Sequence, residues 1–263
     1  MTVLARFRAL PDKDKASLVR KLIVNGTPDF DYFYLIGLST LMATLGLLLN
    51  SSAIVIGSML IAPLMYPILG FALGLVMMGE DTTLLRRAAK TLLKSLSIAL
   101  GLSVVAAFFF GNEASYYTAE IMARTEPSHL HLLIAIVAGA AVAYMLARPE
   151  WNASLPGVAI AIALLDPLAT VGIGIAAGSA TIIKGATMIL ALNLFGIMSI
   201  AVITFLLMNL IDKKNIVDST LRREAEKLAS ENKVVAEVDE QILANKEFAD
   251  EKTTIIREDI VSK

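Results

Sequence analysis

Apolar residues run along this chain in long stretches separated by short polar connections. Crossing a bilayer as a helix takes about 20 predominantly apolar residues. Six stretches have that length: 32–50, 52–78, 90–111, 130–147, 154–177 and 183–211. The pattern predicts six transmembrane helices between a short segment at 1–31 and a charged tail at 212–263. The first two stretches are joined by "LNSSA", where Asn50 is expected to end one helix and Ser52 to cap the next. They therefore read as an antiparallel hairpin.

Two of the stretches contain helix breakers. "GSMLIAPLMYPILGFALG" at 57–74 carries Pro63 and Pro67, and "AIAIALLDPLATVGIGIAAG" at 159–178 carries Pro167. Each proline removes a backbone donor and crowds the preceding turn. The two align without a gap at an offset of 104: Pro63 meets Pro167, Gly70 meets Gly174 and Gly74 meets Gly178. Each is the middle element of a three-span unit, one at 32–111 and one at 130–211. Three is odd, so a repeated unit enters the membrane from the opposite side. The expected fold is an all-α integral membrane protein of two inverted three-helix repeats with proline-broken central helices, followed by a cytoplasmic C-terminal helix.

Composition agrees: 56% of the 263 residues are hydrophobic and 18% charged, with a mean hydropathy of +0.70. A net charge of -1 and termini of mixed sign give no pull toward nucleic acid, so no nucleic-acid partner is expected. The chain has no cysteine, which excludes disulfides, thiolate metal sites and cysteine nucleophiles. Residues 1–31 lack the apolar core and cleavage site of a signal peptide and read as a short cytoplasmic helix. Lys and Arg gather before the first stretch, between the second and third, and after the sixth. The 112–129 connection has Arg124 as its single base, against Glu113, Glu120 and Glu126. Both termini therefore read as cytoplasmic.

Asp166 is the one acidic residue from 32 to 211 that falls outside a predicted connection. Ionisable groups at membrane depth are costly and usually face a cavity or a partner. Asp166 can carry a proton, ligate a cation beside carbonyls freed by proline, or cap a half-helix starting at Pro167. Ser58, Tyr66, Thr170 and Asn193 are further polar candidates for a midplane site with Asp166, Pro167, Pro63 and Pro67. Gly70 with Gly74, and Gly174 with Gly178, have the spacing that lets helix backbones approach closely. His129 and His131 point to different faces of a helix, so no metal site is expected from them. One membrane carboxylate and no deep histidine leave neither an aspartyl pair nor a serine–base pair, so no enzyme and no cofactor are expected.

The tail from Asp212 to Lys263 has mixed charge and apolar residues Leu221, Leu228, Val235, Ile242 and Ala249 at a spacing of seven. That stripe suits a helix packed on a partner or a second copy. Its end, "TTIIREDIV", suits a short strand or the start of a disordered terminus.

The stretches "NSSAIVIGSMLIAPLMYPILGFALGL" at 50–75 and "GVAIAIALLDPLATVGIGIAAG" at 157–178 resemble the bacterial and archaeal membrane proteins grouped as domain of unknown function 389. The resemblance covers about 32–211. It implies the membrane fold and a prokaryotic cell membrane, and no activity. Relatives more often carry an apolar residue or a proline at the position of Asp166, which implies that Asp166 tunes this member. Some relatives carry a soluble regulatory-type domain before the spans, where this chain has some 30 residues. The residues themselves point to a secondary transporter or ion-conducting protein for a small solute or ion, forming a homo-oligomer in the bilayer. The alternative is a scaffold or sensor acting through its tail.

Overall fold

Helix follows helix along the chain, and the described residues contain no strand. The computed structural model describes residues 11–78, 82–147, 154–210 and 213–261, with side chains except at 154–163, 214, 240 and 243–261. The helices are α1 (Asp12–Val24), α2 (Phe30–Leu48), α3 (Ser52–Ile61), α4 (Met65–Val76), α5 (Thr83–Phe110), α6 (Ala119–Met122), α7 (His129–Leu146), α8 (Ser154–Ala176), α9 (Ala180–Leu207) and α10 (Lys214–Val261). The chain divides into two compact units after Thr220.

Among the described residues four helices, α2, α5, α7 and α9, are long and apolar enough to cross a membrane, and the bent pair α3–α4 makes a fifth candidate. The expected span at 154–177 is helical as α8, but side chains 154–163 lie outside the described residues. Its described apolar part, Leu164–Ala176, is shorter than a span.

The prolines act differently in the two central elements. α3 stops at Ile61 and α4 starts at Met65, with a bend of 56° across the break. Ala62, just before Pro63, has ψ 118°, the extended conformation that a following proline ring imposes. Pro67 lies in the first turn of α4, where its missing N–H has no helical partner to lose. Pro167, by contrast, sits inside an uninterrupted α8. The expected break there does not occur, and Asp166 caps no half-helix. Every residue from Leu164 to Gly174 is buried, because α2, α3, α4, α5, α7 and α9 all pack on α8. Burial on all faces keeps the helix continuous past one absent hydrogen bond.

The turn after α2 is closed by Asn50 at φ 54°, with the Ser51 N–H on Gly46 O at 2.9 Å and the Asn50 N–H on Leu47 O at 3.1 Å. This is a Schellman closure. Ser51, not Ser52, stands before α3, and Ser52 is its first residue. Gly178 closes α8 the same way at φ 63°, with Ser179 N–H on Gly174 O at 2.9 Å. Close packing falls on two of the four spaced glycines. A Cβ on Gly74 would lie 2.7 Å from the Leu85 backbone, and one on Gly174 2.8 Å from Ile182, whereas Gly70 has nothing nearer than 3.8 Å.

Helices α2 and α5 run side by side, with Tyr32 Oη 2.9 Å from Ser95 Oγ and Gly37 beside Leu102. Thr44 Oγ1 lies 3.0 Å from Ser103 Oγ, which donates to the Ala169 carbonyl of α8 at 2.9 Å. α7 and α9 pair through Gly139 on Ile197 and Ile200, and Gly196 on Leu132 and Ala135. α1 packs on α4, and its Asp12 forms a 2.8 Å ion pair with Lys213.

In the second unit α10 remains helical to Val261, so "TTIIREDIV" continues the helix. Upstream, Lys227–Glu231 and Lys233–Glu237 pairs at i,i+4 and the run of helix-forming residues favour that continuation.

Candidate functional site

Asp166 lies on α8 and is 3% exposed. A charge so placed needs a partner, and it comes from the 111–128 connection. Arg124 Nε and Nη2 donate to Asp166 Oδ2 at 3.0 and 2.8 Å. Arg124 Nη1 pairs with Glu120 Oε2 at 2.7 Å and also donates to the Glu120 carbonyl. Asp166 is therefore no isolated carboxylate. It is the buried end of a Glu120–Arg124–Asp166 array whose outer two members are each about a fifth exposed, at 23% and 21%.

The connection is built to bring Arg124 there. Asn112 and Ser115 bond each other's backbone N–H groups at 3.0 and 2.8 Å, turning the chain after α5. Thr118 caps α6 by accepting from Ile121 N–H and donates to Leu47 O at 2.8 Å. Asn50 Oδ1 accepts from Glu120 N–H at 3.1 Å. Ile121 is fully buried and Thr125 is 7% exposed. The Thr125 carbonyl stands 1.9 Å from where a Cβ on Gly185 would be, so only glycine admits it against α9. Ser128 then caps α7, and His131 Nδ1 accepts from the Ser128 N–H at 3.2 Å.

One oxygen of the array is left over. Asp166 Oδ1 is buried and has no hydrogen-bond partner among the described residues. Pro167 has no N–H, so the Ala163 carbonyl, one turn earlier, also lacks its helical donor. Buried polar atoms are nearly always paired in folded proteins, so an orphaned carboxylate oxygen marks a place for a proton or cation.

Of the expected site residues, Asp166, Pro167 and Thr170 share one stretch of α8, with Thr170 Oγ1 donating to the Asp166 carbonyl at 2.8 Å. Ser58, fully buried, donates to Val55 O at 2.6 Å within α3, which packs on α8. Pro63 lies in the α3–α4 break and Pro67 at the start of α4. Tyr66 is drawn away toward α1 by a hydrogen bond with Asn25. Asn193 is buried on α9, which packs on α8 from another side. Sequence reasoning missed Arg124 as a site residue; its one signal was a single base in an acidic connection. A separate open groove of about 550 Å³ runs along α1, lined by Lys13, Ser17, Arg20, Lys21 and Asn25, away from this array.

The sequence profile of the family described as "Domain of unknown function (DUF389)" matches residues 59–199. An uncharacterized protein of Methanocaldococcus jannaschii is 33% identical over 169 residues, which cover 64% of this chain and 51% of that relative. The chain thus spans about half the length of the relative it matches. No solved structure is significantly similar to it.

Proposed function

The chain belongs to the domain of unknown function 389 family, and from that premise we propose that it is a membrane-embedded secondary transporter or ion-conducting protein. Its site is Asp166 on α8, beside the broken α3–α4 element. The observation that carries this reading is the orphaned, buried Oδ1 of Asp166. Intramembrane ionisable groups with unsatisfied valence line solute and proton pathways, and a discontinuous helix is a common companion of such sites.

In this reading the chain crosses the membrane six times, counting α3–α4 and α8 as one span each, as two inverted repeats. Matching lengths and stagger support the repeat. α2 and α5 have 19 and 28 residues, and α7 and α9 have 18 and 28. The third residue of α2, Tyr32, meets the thirteenth of α5, Ser95; the eleventh of α7, Gly139, meets the twenty-first of α9, Ile200. The long helix thus leads the short one by about ten residues in both halves. Each overhang receives the segment preceding its short helix: Arg87 reaches Thr27 at 3.1 Å, and Gly185 receives Thr125. Only the first repeat uses its proline to break the middle element. Both termini face the cytoplasm of a prokaryotic cell, on the distribution of Lys and Arg.

The cysteine-free chain offers a direct test. Single cysteines at Ser58, Ala62 and Thr170, with Val105 (52% exposed) as lipid-facing control, are labelled with a membrane-impermeant maleimide on vesicles. A solute pathway labels at least one of the three and spares Val105→Cys; no labelling at any of them sinks the pathway. A second reading, a scaffold or sensor working through α10, is favoured by exposed Val235, Val238 and Ile242 on that helix, a stripe suited to a partner or second copy.

A further inference from the structure

We propose that the 111–128 connection is a plug, and that the Arg124 guanidinium holds the place of a small monovalent cation at Asp166, so that cation binding and plug seating exclude one another. This deepens, and rests on, the transport reading.

Charge gives the first argument. Glu120 and Asp166 contribute two carboxylates and Arg124 one cation, leaving the array one positive charge short. The neighbouring charged groups, Glu126 on the connection and Lys184 on α9, are exposed to solvent, where screening weakens them. The deficit lies at the buried end, because it is Oδ1 of Asp166 that has no hydrogen-bond partner among the described residues. A small cation there is met by that oxygen, with the Ala163 carbonyl, which Pro167 deprives of its helical donor, one turn away.

Ligand chemistry sets the class. A divalent ion such as calcium takes six to eight oxygens, several from carboxylates. Among the described residues no group of three or more His, Asp or Glu is placed to hold a metal. A single buried carboxylate with a backbone carbonyl suits a monovalent ion. A free cation at Oδ1 repels the guanidinium on Oδ2 of the same carboxylate, and in a low-dielectric setting that repulsion is strong. The tethered cation then leaves.

The connection is made to leave as a piece. Its own helix is four residues long. Beyond Arg124, it is held by Tyr116 Oη on the Ala107 carbonyl, Thr118 on Leu47, the Glu120 N–H on Asn50, the buried Ile121 side chain and the seat of Thr125 on Gly185. Withdrawal of Arg124 along its partly exposed side opens a route from solvent to Asp166.

The test uses the full chain in lipid vesicles with Thr125→Cys, a position 7% exposed while the plug is seated. The rate of maleimide labelling is followed as Na⁺ or K⁺ replaces N-methylglucamine at constant ionic strength. The expected result is a saturable, several-fold acceleration, absent when Asp166→Asn is added. Gly185→Ala, whose methyl collides with the Thr125 carbonyl, gives fast labelling without either ion. A rate indifferent to both ions in the Thr125→Cys chain overturns the proposal, as does an acceleration that survives Asp166→Asn. Should Asp166→Asn fail to fold, Arg124→Gln/Asp166→Asn, which leaves neither charge stranded, takes its place with the same expectation. Ion flux across the vesicles, measured in parallel, separates the two readings. Flux that requires Asp166 with ion-indifferent labelling keeps transport and removes the plug; ion-dependent labelling with no flux keeps the plug and removes transport.

Discussion

Asp166 and Arg124 are unequal partners, and their substitution should reveal it. Asp166→Asn removes a buried charge and leaves Arg124 with Glu120. Arg124→Gln instead strands a carboxylate that is 3% exposed with neither oxygen neutralised. Breaking a fully buried pair by removing one partner costs about 3–5 kcal/mol, an upper bound here because Arg124 is one-fifth exposed. Arg124→Gln should therefore lower the thermal unfolding temperature more than Asp166→Asn, and the double variant should recover part of the loss. Equal effects of the two single changes would refute the asymmetry, and no recovery in the double variant would show the pair to be energetically idle. The asymmetry also explains what the sequence revealed. Asp166 stood out because a carboxylate inside an apolar stretch is legible in one dimension. Arg124 lies 42 residues away in a polar connection, and nothing local says that this connection turns inward.

Helices were legible as elements because 20-residue apolar runs have few alternative fates, and the expected stretches meet α2, α5, α7, α8 and α9 within a few residues at most ends. α5 starts earlier, at Thr83 rather than 90, since Arg86, Arg87 and Lys90 ended the apolar run without ending the helix. What one dimension cannot give is the environment of each breaker. Pro63 and Pro167 align, yet the first sits in a break and the second in a helix packed on every side. The glycines divide likewise, by what faces them. Gly74→Ala should cost about 1–3 kcal/mol, the usual range for overpacking, because the new methyl meets the Leu85 backbone at 2.7 Å. Gly70→Ala, with 3.8 Å of clearance, should be neutral or raise the unfolding temperature, as a helical Gly→Ala change normally does. A larger loss at Gly70 than at Gly74 would mean that α4 packs on α5 through a different face.

The tail and the bundle make the last contrast, because where the tail is cut decides what is lost. Composition puts the boundary at 212, where apolar residues give way to charged ones. The compact unit reaches Thr220, with Val217 4% and Thr220 8% exposed. Lys213 also belongs to it, through its ion pair with Asp12 at 2.8 Å. The ammonium beside Asp12 holds that carboxyl below its ordinary value. The tie is therefore intact above the ordinary carboxylate range and is lost as pH falls through the lowered value. It is solvated, so the apolar contacts of Val217, of order 1.5–3 kcal/mol for a buried valine, should matter more. Deleting 222–263, which keeps the buried Leu221, should leave the unfolding temperature, the maleimide pattern at Ser58, Ala62 and Thr170, and any ion flux as they are in the full chain. Deleting 212–263 should lower the unfolding temperature, since it strips those contacts and frees Asp12. If the shorter deletion abolishes the protein's effect in cells while flux through Asp166 was never present, the exposed stripe on α10 carries the function and the membrane unit is its anchor. If flux survives that deletion and is lost with Asp166→Asn, the chemistry resides in the helices that bury Asp166.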